Sequence, residues 1–216
     1  MEASQVSSEA RFDRDPTAGR TAAERVTFVP SPIADPGPLG LAAFALTTFV
    51  LSMFNAKFVG AGGEPIVFGL AFAYGGLAQL LAGMWEYRRG NTFGATAFSS
   101  FGAFWLSYWA IVHWSSGEDA HKTIGLYLFA WFLFTGYMTV AALRTSGAIL
   151  GVFGLLTLTF LLLAIGAWQN STSGPAAFTK IGGFVGIITA LAAWYASLAA
   201  VANETHKKQM FPTWPR

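Results

Sequence analysis

The chain has 216 residues, of which 54% are hydrophobic and 11% charged, and its formal net charge is +2. Soluble domains carry roughly 25% charged residues, so this composition, with its mean hydropathy of +0.48, excludes an ordinary globular domain. The small net charge without a dense basic patch excludes a nucleic-acid surface, and the absence of cysteine excludes disulfides, thiolate nucleophiles and cysteine-held metals.

Residues 1–34 contain Ser, Ala, Arg, Glu and Pro without apolar periodicity and are expected to form a disordered cytoplasmic tail, with no signal peptide before the first span. A transmembrane domain follows over residues 35–203. Six apolar segments are predicted to cross the bilayer: Pro38–Phe58, Pro65–Trp85, Phe93–Val112, Thr123–Leu143, Gly147–Trp168 and Ala177–Val201. Each approaches the ~20 residues needed to span a hydrocarbon core of ~30 Å. The short loops dictate an up-and-down all-α bundle, and residues 204–216 form a C-terminal cytoplasmic tail.

Basic residues give the orientation. With six spans, ten Lys and Arg side chains fall on one side: Arg11, Arg14, Arg20, Arg25, Arg88, Arg89, Arg144, Lys207, Lys208 and Arg216. Three fall on the other, Lys57, Lys122 and Lys180. That asymmetry places both termini in the cytoplasm. Trp85, Tyr87, Trp109, Trp114 and Trp168 stand at span ends, as interfacial aromatic belts do.

The first span carries Phe44, Thr48, Ser52 and Asn55 on one face. Thr48 and Ser52 are expected to bond back to their own helix, whereas Asn55, costlier to bury, is expected to face a partner or a wet cavity. In the second span Gly69, Gly76, Gln79, Gly83 and Glu86 fall on one side. The glycines read as a helix–helix seam; Gln79 is open between interhelical glue and a polar path, and Glu86 between a solvated or ion-paired interface residue and a proton carrier. Asn91 and Thr92 stand at the entry to the third span in capping position. Gly182, Gly186, Ala190, Ala193 and Ser197 make a small-residue packing stripe in the sixth. His113 and His121 flank a loop with Glu118 and Asp119, a pattern read as solvated rather than metal- or haem-binding. There is no nucleophile–base pair, paired intramembrane carboxylate or phosphate-binding glycine loop, so no enzyme activity, cofactor or metal site is expected.

Two stretches are specific beyond composition: Asp35-Pro36-Gly37-Pro38-Leu39-Gly40-Leu41, and the run from Gly75 through Gln79, Gly83 and Glu86 to Gly90-Asn91-Thr92-Phe93-Gly94 and on to Trp105. Together they resemble the acetate uptake transporter family, whose bacterial members are called succinate–acetate permeases, over residues 35–203. The resemblance implies a six-helix protomer assembled as a hexamer, with a separate pore in each protomer. It implies movement of acetate, and in some members succinate or other short carboxylates, with protons or through a channel-like path in the cell membrane. The family's narrow apolar constriction maps onto Phe44, Phe101 and Leu156. Two departures stand out: Asp35 replaces the motif's Asn, and Phe101 the constriction's Tyr.

Counting along each span, Phe44, Phe101 and Leu156 lie roughly 9, 12 and 14 Å inside the cytoplasmic boundary, close enough to close a pore at one level. The N-termini of the first, third and fifth spans would face that mouth and offer free N–H groups to a carboxylate. The substrate path is thus expected to involve Thr48, Ser52, Asn55, Gln79, Glu86, Asn91 and Thr92, and the signature motif Asp35, Pro36, Pro38 and Gly40. The alternatives are a channel selective for acetate anions and a membrane acetate sensor that moves nothing.

Overall fold

The computed structural model describes residues 33–114, 120–169 and 177–216. The basic residues expected in the N-terminal tail (Arg11, Arg14, Arg20 and Arg25) and the loop acids Glu118 and Asp119 lie outside the described residues.

The described chain is all-helical apart from short connections. Helix α1 covers Gly37–Asn55, α2 Pro65–Arg89, α3 Thr92–Trp114, α4 Ala120–Ala142, α5 Gly147–Gln169 and α6 Ala177–His206. Helices α1, α2, α4, α5 and α6 are long and apolar enough to cross a membrane. Helix α3 matches α4 and α5 at 23 residues but does not reach their hydropathy, because Thr92, Thr96, Ser99, Ser100, Ser107 and two glycines are spaced along it. Helix α3 turns Phe98, Phe101, Phe104 and Trp105 into the core.

Consecutive helices pack side by side and α6 returns against α1, so the six close a ring. The seam between α3 and α4 is made by side chains: the Ser107 and Tyr127 hydroxyls are 2.6 Å apart and Tyr127 donates to the Phe104 carbonyl at 3.1 Å. The large side chains facing outward are apolar, among them Ile66, Leu126 and Val140, each more than half exposed. Buried Thr47, Thr135, Thr159 and Thr189 sit inside. That inversion of the usual polar exterior suits a hydrocarbon solvent.

Local chemistry sets the helix ends. Helix α1 stops in a Schellman close, with Lys57 at φ 64° and the Phe58 N–H donating to the Met53 carbonyl at 3.0 Å. It therefore ends three residues before the predicted Phe58. Gly90 takes φ 76°, a left-handed conformation natural to glycine, and turns α2 into α3. Helix α6 continues to His206, so residues 204–206 are helical.

Within α2, residues Ala73–Ala78 form a π-helical turn, whose extra residue rotates everything before it. This breaks the predicted single face. Gly76 and Gly83 meet Leu106 and Ser99 of α3, whereas Gly69 has open space beside it. In α6, Gly186 of the small-residue stripe lets the Ser52 side chain of α1 come close, and its neighbour Gly183 does the same for the Ala56 backbone just after α1, so this face packs within the protomer.

Candidate functional site

Two cavities enter the ring from opposite ends. The first, about 400 Å³, opens where Asp35, the Gly90–Asn91 turn, Ser146 and the C-terminal segment meet, and Pro38, Glu86, Arg89 and Thr213 also line it. The second, about 280 Å³, is lined at the other end by Asn55, Glu64, Tyr108, Tyr127 and Thr179 with apolar neighbours.

The first mouth is built by the signature residues. Asp35 accepts the Gly37 N–H at 2.9 Å and forms an ion pair with Arg89. The buried Pro36 supplies a carbonyl to the Gly40 N–H at 3.1 Å. The Pro38 carbonyl accepts the Ser197 hydroxyl at 2.8 Å, tying α1 to α6. A side chain at Gly40 would strike the Phe98 ring at 2.6 Å, so glycine is what lets α3 dock there.

Asn91 organises the second side of this mouth. Its Oδ1 accepts the Gly94 N–H at 3.1 Å, capping α3, and its Nδ2 donates to Glu86 Oε2 at 2.9 Å. Gly94 leaves room for both groups. Glu86 is 1% exposed and stands 3.9 Å from Arg89. It is thus buried within a hydrogen-bonded ion-pair cluster and not solvated. Thr92, the first residue of α3, is exposed and lines neither cavity.

The expectation of free helix N-termini at this mouth needs correction. Backbone carbonyls of the C-terminal segment cap α5: the Gly147 N–H donates to Trp214 at 2.8 Å and the Ala148 N–H to Thr213 at 3.3 Å. The Ile149 N–H reaches the Ser146 hydroxyl at 3.3 Å. Asp35 and Asn91 occupy first-turn donors of α1 and α3. The segment itself is anchored by Tyr195, which donates to the Pro212 carbonyl at 2.7 Å and stacks on Trp214. The cation at this mouth is a side chain, Arg89, paired with Asp35.

Between the cavities lies an apolar constriction. Phe44, Phe101 and Leu156, each no more than 4% exposed, surround a void of about 20 Å³ together with Leu41, Phe98, Phe153 and Gln79. Such a void holds roughly one water, so the space inside the ring narrows to about that size here. Leu41, Phe98 and Phe153 face both the void and the first cavity. Each precedes one of the three deeper residues by three positions, about 4.5 Å of helix rise, so the constriction has two layers. Phe101 also stacks on Phe160, which lines the second cavity.

Polar groups at the constriction are few. Gln79 is 1% exposed and its Oε1 has no hydrogen-bond partner. Thr48 is buried with an unpartnered hydroxyl; the residue that bonds back is Thr47, to the Ala43 carbonyl at 2.9 Å. Ser52 packs against Gly186, and neither Thr48 nor Ser52 lines a described cavity. Asn55 lines the second cavity. His113 is exposed and bonds the Trp109 carbonyl of its own helix.

Sequence reasoning did not single out Arg89, the outer layer of the constriction, or the Glu64–Tyr108–Tyr127 group. The outer layer was marked by an i, i+3 repeat, since Leu41, Phe98 and Phe153 precede the three constriction residues by the same step. Nothing local marks Glu64 as a partner of Tyr108, whose hydroxyl reaches it at 3.4 Å across 44 residues.

Comparison with known proteins adds four findings. Residues 18–215 match the GPR1/FUN34/yaaH family. Acetate permease A of Emericella nidulans is 45% identical over 195 residues, 83% of this chain and 65% of that protein. The succinate-acetate/proton symporter SatP of Escherichia coli is 36% identical over 184 residues, 83% of this chain and 95% of that protein. Thus the chain spans somewhat under two thirds of the fungal permease's length and nearly all of the bacterial symporter's. Among solved structures, the bacterial acetate channel SatP superposes with a TM-score of 0.77 at 35% identity, covering 84% of this chain and 99% of that one.

Proposed function

The chain belongs to the GPR1/FUN34/yaaH family, and on that premise we propose that it carries acetate and other small carboxylates, succinate among them, across the cell membrane. It is a multi-pass membrane protein. The observation that carries the reading is the pair of cavities on either side of one apolar constriction inside the helix ring. A lipid-facing bundle needs no such passage for stability, and its mouth holds an arginine suited to a carboxylate.

In this reading α3 spans the bilayer with the other five helices, both termini are cytoplasmic, and the Arg89 mouth opens to the cytoplasm. The distribution of basic residues supports that orientation. Protomers assemble as a hexamer, each with its own pore. A bare carboxylate loses its hydration among Phe44, Phe101 and Leu156 at high cost, so transport is coupled to a proton. Buried Glu86, bonded to Asn91, is the group proposed to exchange it.

A second reading, an anion channel of the same selectivity, is favoured by the solved relative described as an acetate channel. A sensor that binds acetate without moving it is the third. The test is saturable uptake of labelled acetate into vesicles holding the purified protein, above pH 7 where leak of the neutral acid through lipid is small. Uptake that rises with an inward proton gradient supports symport, and gradient-independent flux the channel. Uptake equal to empty vesicles refutes transport.

A further inference from the structure

The ion pair between Asp35 and Arg89 occupies the mouth through which, on the reading above, substrate passes. Among the described residues lining that cavity, Arg89 is the single cation, set against two carboxylates, Asp35 and Glu86. Glu86 is already engaged by Asn91 and stands 3.9 Å from the guanidinium. Asp35 is the direct partner, and its side chain is 45% exposed. A guanidinium presents a planar fork of donors that matches any carboxylate, and the carboxylate occupying it here belongs to the chain itself.

We propose that Arg89 is the carboxylate-binding residue of this mouth, and that Asp35 is a built-in competitor which fills it when no substrate is present. The proposal rests on the transport reading for its substrate, and it concerns this chain's departure from the motif, which has Asn where Asp35 stands. Asp35 is well placed for the role. It is fixed by the Gly37 N–H at 2.9 Å, next to Pro38 at the start of α1, so its carboxylate is held beside Arg89 with little freedom to lose. A substrate carboxylate must displace it to bind. Binding is thereby kept weak enough for release, as conduction requires.

Asp35→Asn separates charge from structure, because an asparagine Oδ1 still accepts the Gly37 N–H. The probe is sodium acetate, and the readouts are acetate-dependent thermal stabilisation of the purified full chain and the half-saturation of uptake in vesicles. Half-saturating acetate should fall about fivefold in Asp35→Asn, the size expected for removing one exposed ion-pair partner. In an Arg89→Gln background, or Arg89→Met should the former not fold, the same change should have under a twofold effect. Unchanged half-saturation in Asp35→Asn, or an equal gain with and without Arg89, overturns the proposal. Because thermal stabilisation reads binding alone, a protein that shows the predicted shift yet moves no acetate would refute transport while keeping the Arg89 site.

Discussion

The ring of Phe44 on α1 lies 5.8 Å from that of Phe101 on α3, tilted by 50°, and both rings line the small void between the two cavities. Phe101 is also within 6.0 Å of Phe153 and packs edge-on to Phe134 at 5.5 Å, so it is wedged from several helices. Replacing it by alanine removes the central member of the constriction. Phe101→Ala should raise flux of larger carboxylates relative to acetate by about tenfold, a difference of roughly 1.4 kcal/mol in barrier. Unchanged discrimination between acetate and larger acids would sink the gate assignment.

Gln79 offers a way to separate packing from transport. Its unpartnered, buried Oε1 carries a desolvation cost of about 1–3 kcal/mol. An amide serving only to glue helices should be costly to remove, whereas one kept for substrate should not. Gln79→Leu is therefore expected to hold or raise the unfolding temperature while acetate flux falls at least tenfold. A lower unfolding temperature with normal flux would assign Gln79 to packing.

The contact between α6 and α1 is set by Gly183, where an added Cβ would lie 2.3 Å from the Ala56 backbone nitrogen. Backbone cannot move aside as a side chain can. Gly183→Ala should cost about 1–3 kcal/mol through overpacking, lowering the unfolding temperature by about 2–4 °C per kcal/mol. An unaltered transition in scanning calorimetry would contradict this packing.

Orientation is testable because the chain has no cysteine. Single cysteines at Gly62, in the connection before α2, and at Arg144, between α4 and α5, are both exposed. A membrane-impermeant maleimide applied to intact cells should label position 62 and spare position 144 until the cells are opened. The reverse pattern would invert the topology.

Much of this arrangement is legible in the sequence, and the exceptions have physical causes. Apolar length locates five of the six helices as spans, since 1.5 Å per residue against a fixed bilayer leaves little freedom. Helix ends are less legible: α1 stops early because Lys57 accepts a left-handed conformation that its identity does not advertise. The face of α2 is misjudged from periodicity because the π-helical turn at Ala73–Ala78 changes its register. Ion pairing of Asp35 with Arg89 spans 54 residues, and the capping of α5 by Trp214 and Thr213 depends on backbone atoms of a distant segment. Such contacts leave no local pattern. Phe44, Phe101 and Leu156, by contrast, fall around one void, because residues at similar depth on three helices of a ring converge.

The most direct measurement uses Ala97→Cys, a position facing both the first cavity and the constriction void. With no other thiol present, a small methanethiosulfonate reagent reacts there alone. Labelled-acetate flux through the purified variant in vesicles should fall more than tenfold on modification, return on reduction, and be protected by saturating acetate. Complete modification, verified by mass spectrometry, with flux unchanged would contradict the claim that carboxylates cross through this constriction.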